Sequence, residues 1–168
     1  MLKLIGSIML ILSGTAVGYM ASHRLSMRVA FLNQYIKFMS FCETQIRFSA
    51  IPIIEILKRQ QDSPYISSFI KNCIKKMETN VAFPKAWVEA TNEISKDTGL
   101  TTEDINLIKD FGISLGESDI EGQISHCRLN IKLMNDVLDS AIEDKKKKGR
   151  IYIMLGLFSG VAIVLAMC

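Results

Sequence analysis

Two stretches without one charged side chain bracket this sequence, and they limit what it can fold into more than any other feature. No Asp, Glu, Lys, Arg or His lies between Leu4 and Ser22, and none between Ile151 and Cys168. All 17 acidic residues fall between the two stretches, with every Lys and Arg except Lys3. A bilayer-crossing helix needs about 20 apolar residues, within a range of roughly 17–25. Neither stretch shows the polar stripe of a helix buried on one side only. The sequence therefore predicts transmembrane helices over 4–22 and 151–168, flanking a domain at 23–150. Ala16 and Gly18 offer the small residues of a signal-peptide cut. The stretch is long for such a signal, however, and Arg24 and Arg28 follow it, so an uncleaved anchor is the expectation.

Charge placement sets the orientation. Lys145, Lys146, Lys147, Lys148 and Arg150 abut the second apolar stretch, where a juxtamembrane anchor to the lipid bilayer belongs. Removing those five and Lys3 from the 20 basic residues leaves 14 against 17 acids over 23–144, a net of −3. That is no basic surface for nucleic acid. Lys and Arg gather at the inner ends of both stretches, which predicts a two-pass cell-membrane protein with its central domain in the cytoplasm. Each stretch also holds a small-residue pair four apart, Gly14 with Gly18 and Gly156 with Gly160. Such pairs let helix backbones approach closely in lipid, either with each other or with a partner protein.

The central domain reads as helix throughout, an all-α bundle of about six helices flanked by the two transmembrane helices. Leu25, Val29, Leu32, Ile36, Met39 and Ile46 form an apolar row opposite Asn33, Lys37, Ser40, Thr44 and Arg47, giving a helix from about Arg24 to Ser49. Pro52 starts a short helix to about Gln61. Ser63-Pro64 reads as an N-cap and first helical position for a helix to about Thr79, and Pro84 opens another. Thr101 with Asp104 reads as a capping box, and Ser118 with Glu121 as a second. The last helix has the strictest pattern. Ile120, Ile124, Cys127, Ile131, Met134, Leu138 and Ala141 alternate four and three apart, a packing seam, with Gly149 as a possible hinge beyond it.

Chemistry is sparse. Cys42, Cys73 and Cys127 fall on apolar faces and read as core residues, while Cys168 is either a chain end or an intermolecular disulfide partner. His23 and His126 form no metal-ligand pair, His126 reads as a packing residue, and no nucleophile elbow or phosphate-binding glycine loop occurs. The apolar stretches hold no acid or base for ion-coupled transport. No catalytic residue, metal site or cofactor is expected, and the chain is not expected to be an enzyme. Glu43 interrupts the apolar side of the first helix, either pairing with a basic side chain or reaching the bundle edge. The most distinctive stretch runs from Asp110 to Gln123. Gly116, Ser118, Asp119, Glu121 and Gln123 there make either a tight turn with a cap or a recognition corner, with Asp119 and Glu121 as contacts for a basic partner.

These residues carry a resemblance. The opening Met1-Leu2-Lys3-Leu4-Ile5-Gly6, the run Glu43-Thr44-Gln45-Ile46, Pro52, and Phe111-Gly112, Leu115-Gly116, Ser118-Asp119 and Glu121-Gly122-Gln123 resemble the stage III sporulation protein AB family over nearly the whole length. The chain departs from that family's Thr-Pro-Leu-Pro-like opening at Ser49-Ala50-Ile51-Pro52. The resemblance implies a cytoplasmic helical domain similar to that of the type II secretion F protein, in the mother-cell membrane around the forespore. It implies a non-enzymatic platform in a channel-like complex, partnered by a cytoplasmic secretion-type ATPase and by other membrane subunits. A membrane-tethered adaptor or receptor outside any secretion machine is the alternative.

Overall fold

The computed structural model describes residues 2–49 and 51–167, with side chains throughout except at 2–5, 7–8, 10–11 and 165–167. Six α-helices follow in order: α1 (Leu2–Phe48), α2 (Ile53–Gln60), α3 (Ser67–Glu78), α4 (Phe83–Asn92), α5 (Thr102–Ser114) and α6 (Ile120–Met167). A short 3-10 turn at Lys96–Thr98 joins α4 to α5, and no strand occurs among the described residues. The described residues divide into two compact units, a bundle within 30–139 and a helix pair of residues 2–29 with 140–167.

The bundle is organised around the sole tryptophan. Trp87 on α4 is fully buried, and its indole N–H donates to the Ile108 carbonyl of α5 at 2.7 Å. Phe69 of α3 meets it edge-on at 4.6 Å between centroids, Phe38 of α1 stacks at 5.9 Å, and Phe111 of α5 lies at 6.1 Å. Tyr35 of α1 closes the cluster at 6.4 Å. Such aromatic pairs contribute about 0.5–1.5 kcal/mol each beyond their buried area. Along α6 the seam residues Cys127, Met134, Leu138 and Ala141 are buried and Ile124 and Ile131 half-buried, while Ser125, Arg128, Lys132, Asn135 and Asp139 are exposed. Ile120, its first member, is 53% exposed because it opens the helix at the bundle's edge.

The predicted starts divide by mechanism. Thr101 and Asp104 form the expected reciprocal box, with Thr101 N donating to Asp104 Oδ2 at 2.8 Å and Asp104 N to Thr101 Oγ1 at 3.2 Å. Ser63 does not cap α3. Tyr65 adopts φ +65°, so the chain turns once more and the helix begins at Ser67; Ser63 Oγ instead donates to Gln60 Oε1 at 2.7 Å. Gly149 is no hinge: it lies inside α6, buried, where a Cβ would come 3.2 Å from Ser22 Oγ of α1.

Among the described residues no helix is long and apolar enough to cross a membrane. The uncharged stretches with side chains described throughout are residues 12–22 and 151–164, both shorter than the roughly 20 residues that a bilayer requires. Residues 4–5, 7–8, 10–11 and 165–167 of the expected spans lie outside those described side chains, and Cys168 lies outside the described residues.

Cys42, Cys73 and Cys127 are buried in the bundle, as their helical positions predict. Burial pushes the Cys73 thiol up to about 12, against the nearby Lys76 charge, and Cys127 up to about 11. Cys42 is raised in the same direction by burial. Above the unfolded thiol value of about 8.5 the unfolded chain releases protons that the native one keeps, so stability falls as pH rises. The unfolding midpoint should therefore drop as pH rises from about 8.5 toward the native values of about 11 and about 12, and a Cys73→Ala/Cys127→Ala variant should lose part of that slope. An identical slope in the variant would show that the thiols are not shielded.

Among the described residues the core also holds an unsatisfied polar group. Tyr35 Oη is buried without a hydrogen-bond partner among the described residues. An unsatisfied buried hydroxyl costs about 1–3 kcal/mol. Tyr35→Phe should thus leave thermal stability unchanged or raise it, whereas Phe111→Ala, in the same cluster, should cost about 3–5 kcal/mol. Strong destabilisation by Tyr35→Phe would mean that the hydroxyl is satisfied in solution.

Candidate functional site

The corner between α5 and α6 draws its shape from two glycines with different duties. Gly112 sits inside α5 directly under Trp87; a Cβ there would overlap the indole ring, so only glycine lets α4 and α5 close to this distance. Gly116 follows the end of α5 with φ +96°, a backbone state that L side chains rarely adopt, in otherwise open space. It turns the chain toward α6.

The start of α6 differs from the expected Ser118–Glu121 box. Asp119, not Ser118, is the cap: its Oδ1 accepts from Gly122 N at 3.0 Å, and its carbonyl accepts from Gln123 N at 2.9 Å. Gln123 Nε2 reaches back to the Ser118 carbonyl at 2.8 Å. Asp competes well with Ser as a cap, and the first turn of a helix favours its negative charge. Asp119 is therefore tied into the helix start, while the Glu117 and Glu121 side chains are exposed and unbonded among the described residues. The roles expected for the two acids exchange: Glu121 is the carboxylate that can be changed without touching the cap.

A groove of about 210 Å³ opens beside these acids, lined by Ile46, Ile51, Ile53, Ile56, Leu115, Gly116 and Gln123. Gly116 and Gln123 were legible as site residues. The isoleucines were not, because they come from α1, from the turn before Pro52 and from α2, far away in sequence; the apolar run flanking Pro52 was the available signal. Phe48, 77% exposed at the end of α1, adds apolar surface nearby in sequence. Glu43 takes the pairing option, accepting from Arg47 Nη2 at 2.6 Å and Arg128 Nε at 2.9 Å, which links α1 to α6. His126 stacks on Phe111 at 5.5 Å, with its Nε2 3.1 Å from the Phe111 carbonyl, so the ring helps to hold α6 against α5. Among the described residues no group of three or more His, Cys, Asp or Glu side chains is placed to hold a metal.

The helix pair brings the other predicted residues together. A Cβ on Gly14 would come 2.6 Å from the Gly156 carbonyl and 3.4 Å from Gly160 N; one on Gly18 would strike the Tyr152 carbonyl. All four glycines thus lie where α1 and α6 touch backbone to backbone. Further along, Arg28, buried, meets Asp144 at 3.7 Å, and Lys148 reaches the same carboxylate at 2.7 Å. The Lys148 ammonium, with Arg28 adding to it, holds the Asp144 carboxyl below the usual carboxylate range. The basic residues expected at the second apolar stretch all lie within α6, Lys147 bonded to Glu143 at 2.8 Å and Lys145, Lys146 and Arg150 exposed.

The described residues thus form an all-α bundle with an apolar groove and acids at one corner, and a glycine-packed helix pair. The chain belongs to the stage III sporulation protein AB family, whose match covers residues 3–168. Comparison with curated proteins and with solved structures gives no match.

Exchanging the caps tests the corner's construction. Asp119→Ala should cost about 0.5–2 kcal/mol, whereas Ser118→Ala should stay within about 0.5 kcal/mol in thermal unfolding. The reverse order would restore Ser118 as the cap.

Proposed function

We propose that this sporulation protein is a non-enzymatic membrane platform that recruits a cytoplasmic secretion-type ATPase to a channel-like complex with other membrane subunits. In this reading α1 and α6 cross the mother-cell membrane around the forespore, and the bundle faces the cytoplasm. The observation that carries the membrane part is the helix pair itself. Its glycine-packed interior is matched by outward faces of exposed Val17, Tyr19, Met20, Met154, Leu155 and Phe158. A water-facing helix pair would turn such side chains inward, whereas hydrocarbon accepts them. The sequence stays uncharged on both flanks of these residues, from Leu4 and to Cys168. Tyr19 and Tyr152 lie at one level, beside the Gly18 contact, in the position of an interfacial aromatic belt.

The α5–α6 corner is the proposed ATPase contact. Its groove suits one large apolar side chain, and Glu117 and Glu121 suit basic residues flanking that anchor. Rim charges act mainly on association rate and salt sensitivity, while the buried anchor sets most of the lifetime. The test is affinity between the full chain in mild detergent and the purified ATPase. Glu121→Lys should weaken it on the order of tenfold, more at low salt, with helix content unchanged. Unchanged affinity in the folded variant would remove the corner from the interface. No association at all would favour the tethered adaptor over the platform.

A further inference from the structure

Cationic and apolar surfaces meet at a single height on the helix pair. Lys145, Lys146 and Arg150 are exposed and have no acidic partner among the described residues. The acids of that turn are already engaged, Glu143 by Lys147 and Asp144 by Lys148 and Arg28. One residue beyond Arg150 the exposed surface becomes apolar, with Ile151, Met154 and Phe158. On α1 the same change falls between exposed Arg24 and exposed Met20. The helices run antiparallel with Gly18 against Tyr152, Ser22 against Gly149 and Arg28 against Asp144. That register sets Arg24 level with the turn 145–148, so both helices pass from charge to hydrocarbon together.

We infer that the collar formed by Lys145, Lys146 and Arg150, with Arg24 beside them, binds the headgroups of anionic phospholipids. The inference rests on the membrane reading above and adds a lipid selectivity to it. A guanidinium and two ammonium groups without internal partners attract phosphate oxygens, and Arg150 can engage two at once. A zwitterionic headgroup brings its own cation and gains little. The engaged pairs Lys147–Glu143 and Lys148–Asp144 hold the turn helical and leave the three free cations facing outward. Anionic leaflets reward such juxtamembrane charges within a Debye length of the surface.

The test uses the full chain mixed with phosphatidylcholine vesicles, either pure or containing about 30% phosphatidylglycerol, then extracted in mild detergent for counting of retained lipid. Phosphatidylglycerol should be retained well above its bulk share. Neutralising Lys145, Lys146 and Arg150 to Gln should bring phosphatidylglycerol back to about its bulk share, with the difference from the unaltered chain largest at low salt. Lys75→Gln/Lys96→Gln, on exposed bundle positions, should leave it unchanged, and millimolar inorganic phosphate should not displace the lipid. Retention in bulk proportion, or an unaltered triple variant, would overturn the collar. Insertion into both vesicle types without enrichment would do so while leaving the membrane reading intact. Binding only to anionic vesicles, reversed by salt, would support the collar and remove the spans. Recovery of the chain outside both vesicle types would remove collar and spans together.

Discussion

The indole of Trp87 resting on the bare backbone of Gly112 is the contact on which the bundle depends. It allows α4 and α5 to approach until the indole N–H reaches the Ile108 carbonyl at 2.7 Å. That short separation positions Phe69, Phe38 and Phe111 around one ring, so four helices share a single aromatic centre. The end of α5 is fixed by the same packing, and with it the turn at Gly116 that presents the acidic corner. Interior packing of this density transmits small changes, because no side chain has room to absorb them.

What could be read in the sequence was what depends on neighbours within one helix. The seven-residue seam of α6 and the Thr101–Asp104 box rest on spacing alone, and both are present in the structure. The start of α3 could not be read, because the left-handed conformation of Tyr65 overrides a Ser-Pro signal that is sound locally. Ser118 and Asp119 are adjacent and both good caps, so sequence could not decide between them; the hydrogen bond to Gly122 N does. The isoleucine groove depends on three segments meeting, which no local pattern encodes. The partners of Glu43 were equally hidden, since Arg128 lies 85 residues away.

The two compact units differ in surface chemistry. In the bundle, charge sits beside an apolar recess. In the helix pair, charge sits at the edge of a wide apolar surface. Arg28 is buried but its partner Asp144 is half-exposed and shared with Lys148, so the contact marks one register of the pair without the full cost of a buried ion pair. Glycine contacts permit close approach but tolerate sliding; a localised charge pair does not.

Trp87 being the sole tryptophan gives the molecule a built-in optical reporter confined to one of its units. An indole enclosed by aromatic rings and bonded to a backbone carbonyl emits at short wavelength and shifts red once water enters. The helix pair contains no indole, so its separation is silent at that emission. Intrinsic fluorescence can thus follow the opening of the bundle free of any indole signal from the helix pair.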